Sequence, residues 1–98
     1  MRAGTVAYRK TLAGVLVVLN DADPCGLEPG SPEGAPLDEY EMEAVDLVRI
    51  LLKAGAVTPH DVEAVWMHWF SESLVLRIGP PRMAQLIDRL NALVDGAR

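Results

Sequence analysis

At 98 residues the chain is long enough for one hydrophobic core and too short for two. Half of the residues are hydrophobic, but the aromatic set is only one Phe, two Trp and two Tyr, so the interior must be built from Leu, Val, Ile, Met and Ala, a palette suited to helices packed on helices. Fourteen acidic against nine basic residues leave a formal charge of −5, which opposes the phosphate backbone and excludes DNA and RNA as partners.

A domain of this size buries only about 60–65% of its unfolded surface, so an apolar surplus is expected on the outside, where it favours a protein partner or a homo-oligomer. The lone Cys25 cannot form an internal disulfide, which points to a reducing cytoplasm. Arg9 and Lys10 precede an apolar run from Leu12 to Leu19 that superficially resembles a signal peptide. The run ends in Asn20-Asp21 without a small-x-small cleavage site, and it falls short of the ~20 residues that span a bilayer, so neither export nor a membrane role is expected.

The first element runs from about Thr5 to Asn20. Gly14 to Leu19 also has the look of a buried strand, but Tyr8, Leu12, Val15, Leu16 and Leu19 form one helical stripe and no second strand exists to pair with it, so the spacing predicts a helix. From Asp21 to Pro36 the composition shifts to Asp, Pro, Gly and Ser, and a long Pro/Gly-rich loop follows. Loops longer than about 12–15 residues tend to carry function or to be disordered. A second helix is expected with Asp38 as cap, Glu41 completing a capping box, a Leu37–Met42 staple and a stop at Gly55. Its polar face would carry Glu39, Glu43, Asp46, Arg49 and Lys53, and its apolar face Val45, Val48, Leu51 and Leu52.

Thr58, Pro59 and Asp61, with a Val57–Val62 staple, announce the third helix. Its stripe of Val62, Val65, Trp66, Trp69 and Phe70 is expected at the centre of the core. Leu74 to Ile78 is left open between an extension of that helix, an extended connector and irregular packing, and is excluded only as part of a sheet. Gly79-Pro80-Pro81 opens a final helix with Met83, Leu86, Ile87, Leu90, Leu93 and Val94 inward and a stop at Gly96. The expected fold is all-α, a compact four-helix bundle-like single domain.

Asp21-Ala22-Asp23-Pro24-Cys25-Gly26 imitates the first half of an EF-hand loop, but Cys25 and Pro32 stand where the fifth and twelfth ligands belong. A turn at Asp23–Gly26, with Asp23 bonded to nearby amides and Gly26 at positive φ, is the simpler reading. A looser acidic site, with Asp21 and Asp23 facing Asp38, Glu39 and Glu41 to bind a hard cation, is the alternative. Cys25 has no neighbouring base to activate it as a nucleophile. His60 reads as a solvated helix-start residue and His68 as a partly buried neighbour of the aromatic stripe; eight residues apart, they do not form a zinc pair. Ser71 and Ser73 lack a nucleophile elbow, and no glycine-rich phosphate loop is present. No catalytic residue, cofactor or metal ligand is assigned.

Asp23-Pro24-Cys25-Gly26-Leu27 followed by Asp38-Glu39-Tyr40-Glu41 at a helix start resembles the YugE-like domains, small bacterial helical proteins whose usual pattern is Trp-Asp-Pro-Ile-Gly-Val and then Asp-Glu-Tyr-Asp. Asp23, Pro24, Gly26, Asp38, Glu39 and Tyr40 match, while Ala22, Cys25 and Glu41 depart from the pattern. The resemblance implies an all-helical fold in which Tyr40 packs under the loop and Asp23 and Asp38 bond its backbone. It implies no activity. The expectation is a non-enzymatic protein-interaction domain, immunity- or antitoxin-like or self-associating, with Asp21, Asp23, Pro24, Gly26, Asp38, Glu39 and Tyr40 as its structural or interaction loop. The alternative is a small-ligand or divalent-metal domain using the acidic loop 21–41.

Overall fold

The computed structural model describes residues 2–95. Among them every regular element is a helix: α1 Arg2–Ala22, α2 Glu41–Ala54, α3 Pro59–Phe70, α4 Leu74–Ile78 and α5 Pro80–Asp95. Five helices stand where four were expected, because the segment left open becomes the short α4, capped by the Ser73 hydroxyl, which accepts from the Leu76 amide at 3.3 Å. The expected stop at Gly96 lies outside the described residues. No described helix is long and apolar enough to cross a membrane.

Helix α1 packs on α2 and α5, and α3 on α2. Val15 and Leu19 of the expected α1 stripe are fully buried, with Tyr8, Leu12 and Leu16 packed at the core's margin. Helix α1 also ends two residues later than expected, so Asp21 belongs to its last turn and the loop begins at Asp23.

Helix α2 departs most from its sequence reading. It begins at Glu41 behind Tyr40, and no side chain caps it. Backbone turns take that place: the Glu39 amide donates to the Pro36 carbonyl at 3.2 Å and the Glu41 amide to that of Asp38 at 2.9 Å. The expected Asp38–Glu41 capping box is therefore absent. Leu37 and Met42, 66% and 57% exposed, make no buried staple. Tyr40 is fully buried and sets the phase of the helix, so Ala44, Leu47, Val48 and Leu51 follow it inward at helical spacing. In that phase Leu52 faces outward, Val45 is only half-buried, and Glu43, expected on the polar face, is buried.

Helix α3 begins as its sequence announces. The Thr58 hydroxyl accepts from the Asp61 amide at 3.1 Å, the Asp61 carboxylate accepts from the Thr58 amide at 2.9 Å, and Val57 and Val62 are both buried. Trp66 is the largest fully buried side chain, stacked on Tyr40 at 6.2 Å between ring centroids and tilted against Phe70 at 5.2 Å. Trp69 is not part of this centre. It sits in the last turn, 37% exposed, where its indole N–H donates to Asp46 at 2.8 Å. A buried indole usually finds an acceptor. The Nε1 of Trp66 in the core has no hydrogen-bond partner, whereas that of Trp69 is served at the surface. His68, expected half-buried, is exposed against the edge of Trp69.

Candidate functional site

The loop signature assembles into a latch. Asp23 ends α1 in the left-handed region at φ 42°, which short polar side chains tolerate, and Pro24 and Cys25 turn the chain so that the Gly26 amide donates to the Asp23 carbonyl at 3.0 Å. A Cβ on Gly26 would meet nothing, so its φ of 66° is the reason for glycine there. The Asp23 carboxylate accepts from the amides of Leu27 at 2.8 Å and Glu28 at 3.0 Å, and from the Tyr40 hydroxyl at 2.9 Å. That hydroxyl in turn accepts from the Cys25 amide at 3.0 Å. Tyr40 thus joins the loop to the head of α2 from inside the core.

Burial alone would raise the Asp23 carboxyl, but the Glu28 amide, the Tyr40 hydroxyl, the Leu27 amide and the Arg82 guanidinium outweigh it and hold the group below its ordinary value. Burial pushes the Tyr40 phenol upward, and its bond to the Asp23 carboxylate adds to the effect. Burial also pushes the Cys25 thiol up against the opposing influence of Arg77, Tyr40 and Trp66, the opposite of what activates a nucleophile.

Three arginines that the sequence did not single out hold the loop's other side. Arg77 of α4 donates from Nε to the Pro24 carbonyl at 2.6 Å, Arg82 of α5 to the Ala22 carbonyl at 2.7 Å, and Arg89 pairs with Asp21 at 2.9 Å. They satisfy carbonyls and negative charge at the C-terminal end of α1, where a helix favours cations. Only their distance along the chain hid them, since no local spacing connects residues 77–89 to residues 21–24. Beyond this ring the loop folds on itself, with the Ala35 amide on the Leu27 carbonyl at 2.9 Å and that of Gly30 on Ala35 at 2.8 Å. A Cβ on Gly34 would strike the Glu28 carbonyl.

Of the expected loop residues, Asp23, Pro24, Gly26 and Tyr40 come together. Asp21 turns to Arg89, Asp38 contributes its backbone carbonyl to the turn before α2, and Glu39 is exposed. Among the described residues no three His, Cys, Asp or Glu side chains gather into a group able to hold a metal ion. The carboxylates of the acidic loop are dispersed, each with its own structural task or in solvent.

A second feature lies on the outer face of α2. Met42, Val45 and the half-exposed Trp69 line a shallow hollow together with Glu41, Asp46 and Arg49. A neighbouring hollow shares Asp46 and Arg49 and continues between α2 and α3 along Ile50, Asp61, Val65 and His68. The two make one open groove with apolar side chains along it and carboxylates at its rim. No protein-family model, curated protein or solved structure matches the chain.

Proposed function

We propose that the protein is a non-enzymatic interaction domain and that the outer α2–α3 groove is its docking surface, with the Asp23–Tyr40 latch as the structural support that fixes the start of α2. The observation that carries this reading is the pair Met42 and Trp69, 57% and 37% exposed, side by side in a groove rather than in the core. Adjacent apolar and aromatic side chains of this kind are what protein interfaces are built around. The alternative use of the acidic loop for a metal or small ligand draws no support from carboxylates that point apart. The resemblance to the YugE-like domains enters this proposal only through the latch, since Asp23 and Tyr40 are the positions it marks for a structural task.

The test is a photo-reactive phenylalanine analogue introduced at Met42 and, separately, at the exposed Ala84 of α5, in cells that make the protein. Discrete protein adducts at position 42 and none at position 84 are expected. Equal patterns at both positions, or none at either, would overturn the reading. Heat on titration with Ca²⁺, Mg²⁺ or Mn²⁺ that disappears in Asp23→Ala would restore the metal-binding alternative.

A further inference from the structure

The groove's charge says what kind of partner it fits. From Thr11 to Val48 the chain carries nine carboxylates and no Lys, Arg or His. This acidic stretch ends on the groove, whose lining includes Glu41 and Asp46 from α2 and Asp61 from α3, with Arg49 the sole Lys or Arg among the lining side chains. The ion pairs found among the described residues join Arg77 to Glu72 and Arg89 to Asp21, so Glu41 and Arg49 stay uncompensated. The apolar element is Met42, Val45, Ile50 and Trp69, an adaptable thioether and a rigid indole among branched aliphatics. From Glu41 to Ile50 the groove follows α2 for about 14 Å at 1.5 Å per residue, room for roughly ten residues of a helix laid along it.

We propose that this groove receives a cationic amphipathic helix, its apolar stripe on Met42 and Trp69 and its Lys or Arg side chains on the rim carboxylates. The inference rests on the interaction-domain reading and adds the occupant. Three physical choices select it. The described residues include no strand for a partner to extend, and a groove that follows α2 for the length of about ten helical residues suits the helix-in-groove mode. A second copy in a two-fold contact through this groove would bring one acidic rim against another, and like charges across an interface cost affinity. A phosphate-bearing surface meets the same repulsion.

The probes are two labelled, amidated 16-residue peptides with leucines at i, i+3, i+4 and i+7 spacing, one carrying lysines at its polar positions and the other glutamates at the same positions. Fluorescence anisotropy is read at low and at physiological salt. The lysine peptide is expected to bind, more weakly as salt rises, and the glutamate peptide not to bind. Glu41→Lys and Met42→Lys are each expected to weaken binding by about tenfold. Asp88→Lys, with the same charge change as Glu41→Lys but on α5 outside the groove, is expected to weaken it by less than about threefold. All three positions are exposed, and unchanged melting curves establish that the variants fold. Loss in Asp88→Lys equal to that in Glu41→Lys, or equal binding of both peptides, overturns the proposal by showing that net charge or greasiness alone is read. Sedimentation equilibrium separates the two levels of failure. A dimer that Met42→Lys dissolves overturns the cationic occupant while the docking surface stands; neither peptide binding nor a dimer, together with no adducts at position 42, overturns both.

Discussion

Asp23 serves four tasks with one side chain and one peptide unit: it ends α1 in a left-handed conformation, receives two loop amides, and takes the Tyr40 hydroxyl. Its removal leaves two amides and a fully buried tyrosine short of an acceptor. Asp23→Ala is expected to cost about 2–3 kcal/mol, and Tyr40→Phe, which strands only the Cys25 amide, about 1–2 kcal/mol. Chemical denaturation measures both. The double variant should lose less than the sum, because the two changes share one hydrogen bond. The carboxyl of Asp23 is held below its ordinary value, so the stability it contributes is complete above the unfolded-state value and is lost as the pH falls through the folded one. Asp23→Asn should therefore flatten the acid limb of a stability profile.

Glu43 has the opposite sign. It is 5% exposed, burial pushes its carboxyl upward against the help of its own backbone amide, and the carboxylates of Glu39 and Asp46 push the same way. The folded protein holds this proton to a higher pH than the unfolded chain does. Stability from this residue is greatest below the unfolded-state value and falls as the pH rises through the folded one. Glu43→Gln keeps the shape and removes the charge, and should gain about 1 kcal/mol at pH 7 while making stability less dependent on pH between 4 and 7. Urea unfolding across that range checks it, and no gain at pH 7 would show that the carboxylate has found compensation.

At the scale of elements, the two middle helices began from similar sequence signals and reached different ends. Thr58 caps α3 as its spacing announces because nothing else serves those amides; at α2 the turns over residues 36–41 satisfy the backbone first, and Asp38 has nothing left to cap. Thr58→Ala is expected to cost about 1 kcal/mol. Asp38→Ala should change stability by less than about 0.5 kcal/mol. Thermal melts of the two distinguish a cap from a look-alike.

The same contrast explains what the sequence could reveal. The Asp23–Gly26 turn is local and was legible, as were the apolar stripes of α1 and α5. The burial of Glu43 and the exposure of Leu52 were not, because the phase of α2 is set by Tyr40, whose burial depends on contacts with Trp66 and a loop 15 residues away. Trp69 looked like core from its spacing alone; its place depends on an acceptor, Asp46, 23 positions earlier.

For the molecule as a whole, acidic charge is collected at the loop and the head of α2, while Arg77, Arg82 and Arg89 bind the loop from the opposite side. The latch and the arginines consequently hold one end of the groove's principal helix in place, although none of them lines the groove. Asp23→Ala should weaken binding of the lysine peptide through a loosened α2, a loss that cooling or mild salt-free stabilisation reduces and that a rim variant such as Glu41→Lys does not share. Anisotropy at two temperatures separates the two.

The arginine bonds also span 53 positions for Arg77 to Pro24, 60 for Arg82 to Ala22 and 68 for Arg89 to Asp21. Closing such long loops of chain is entropically costly before any contact rewards it, so these bonds are expected to form after the local helices have met. Arg82→Ala should then leave the refolding limb of a chevron plot nearly unchanged and steepen the loss on the unfolding side, with the whole of its destabilisation appearing as faster unfolding. On that outcome the three guanidinium groups act on how long the native state lasts rather than on how quickly it is reached.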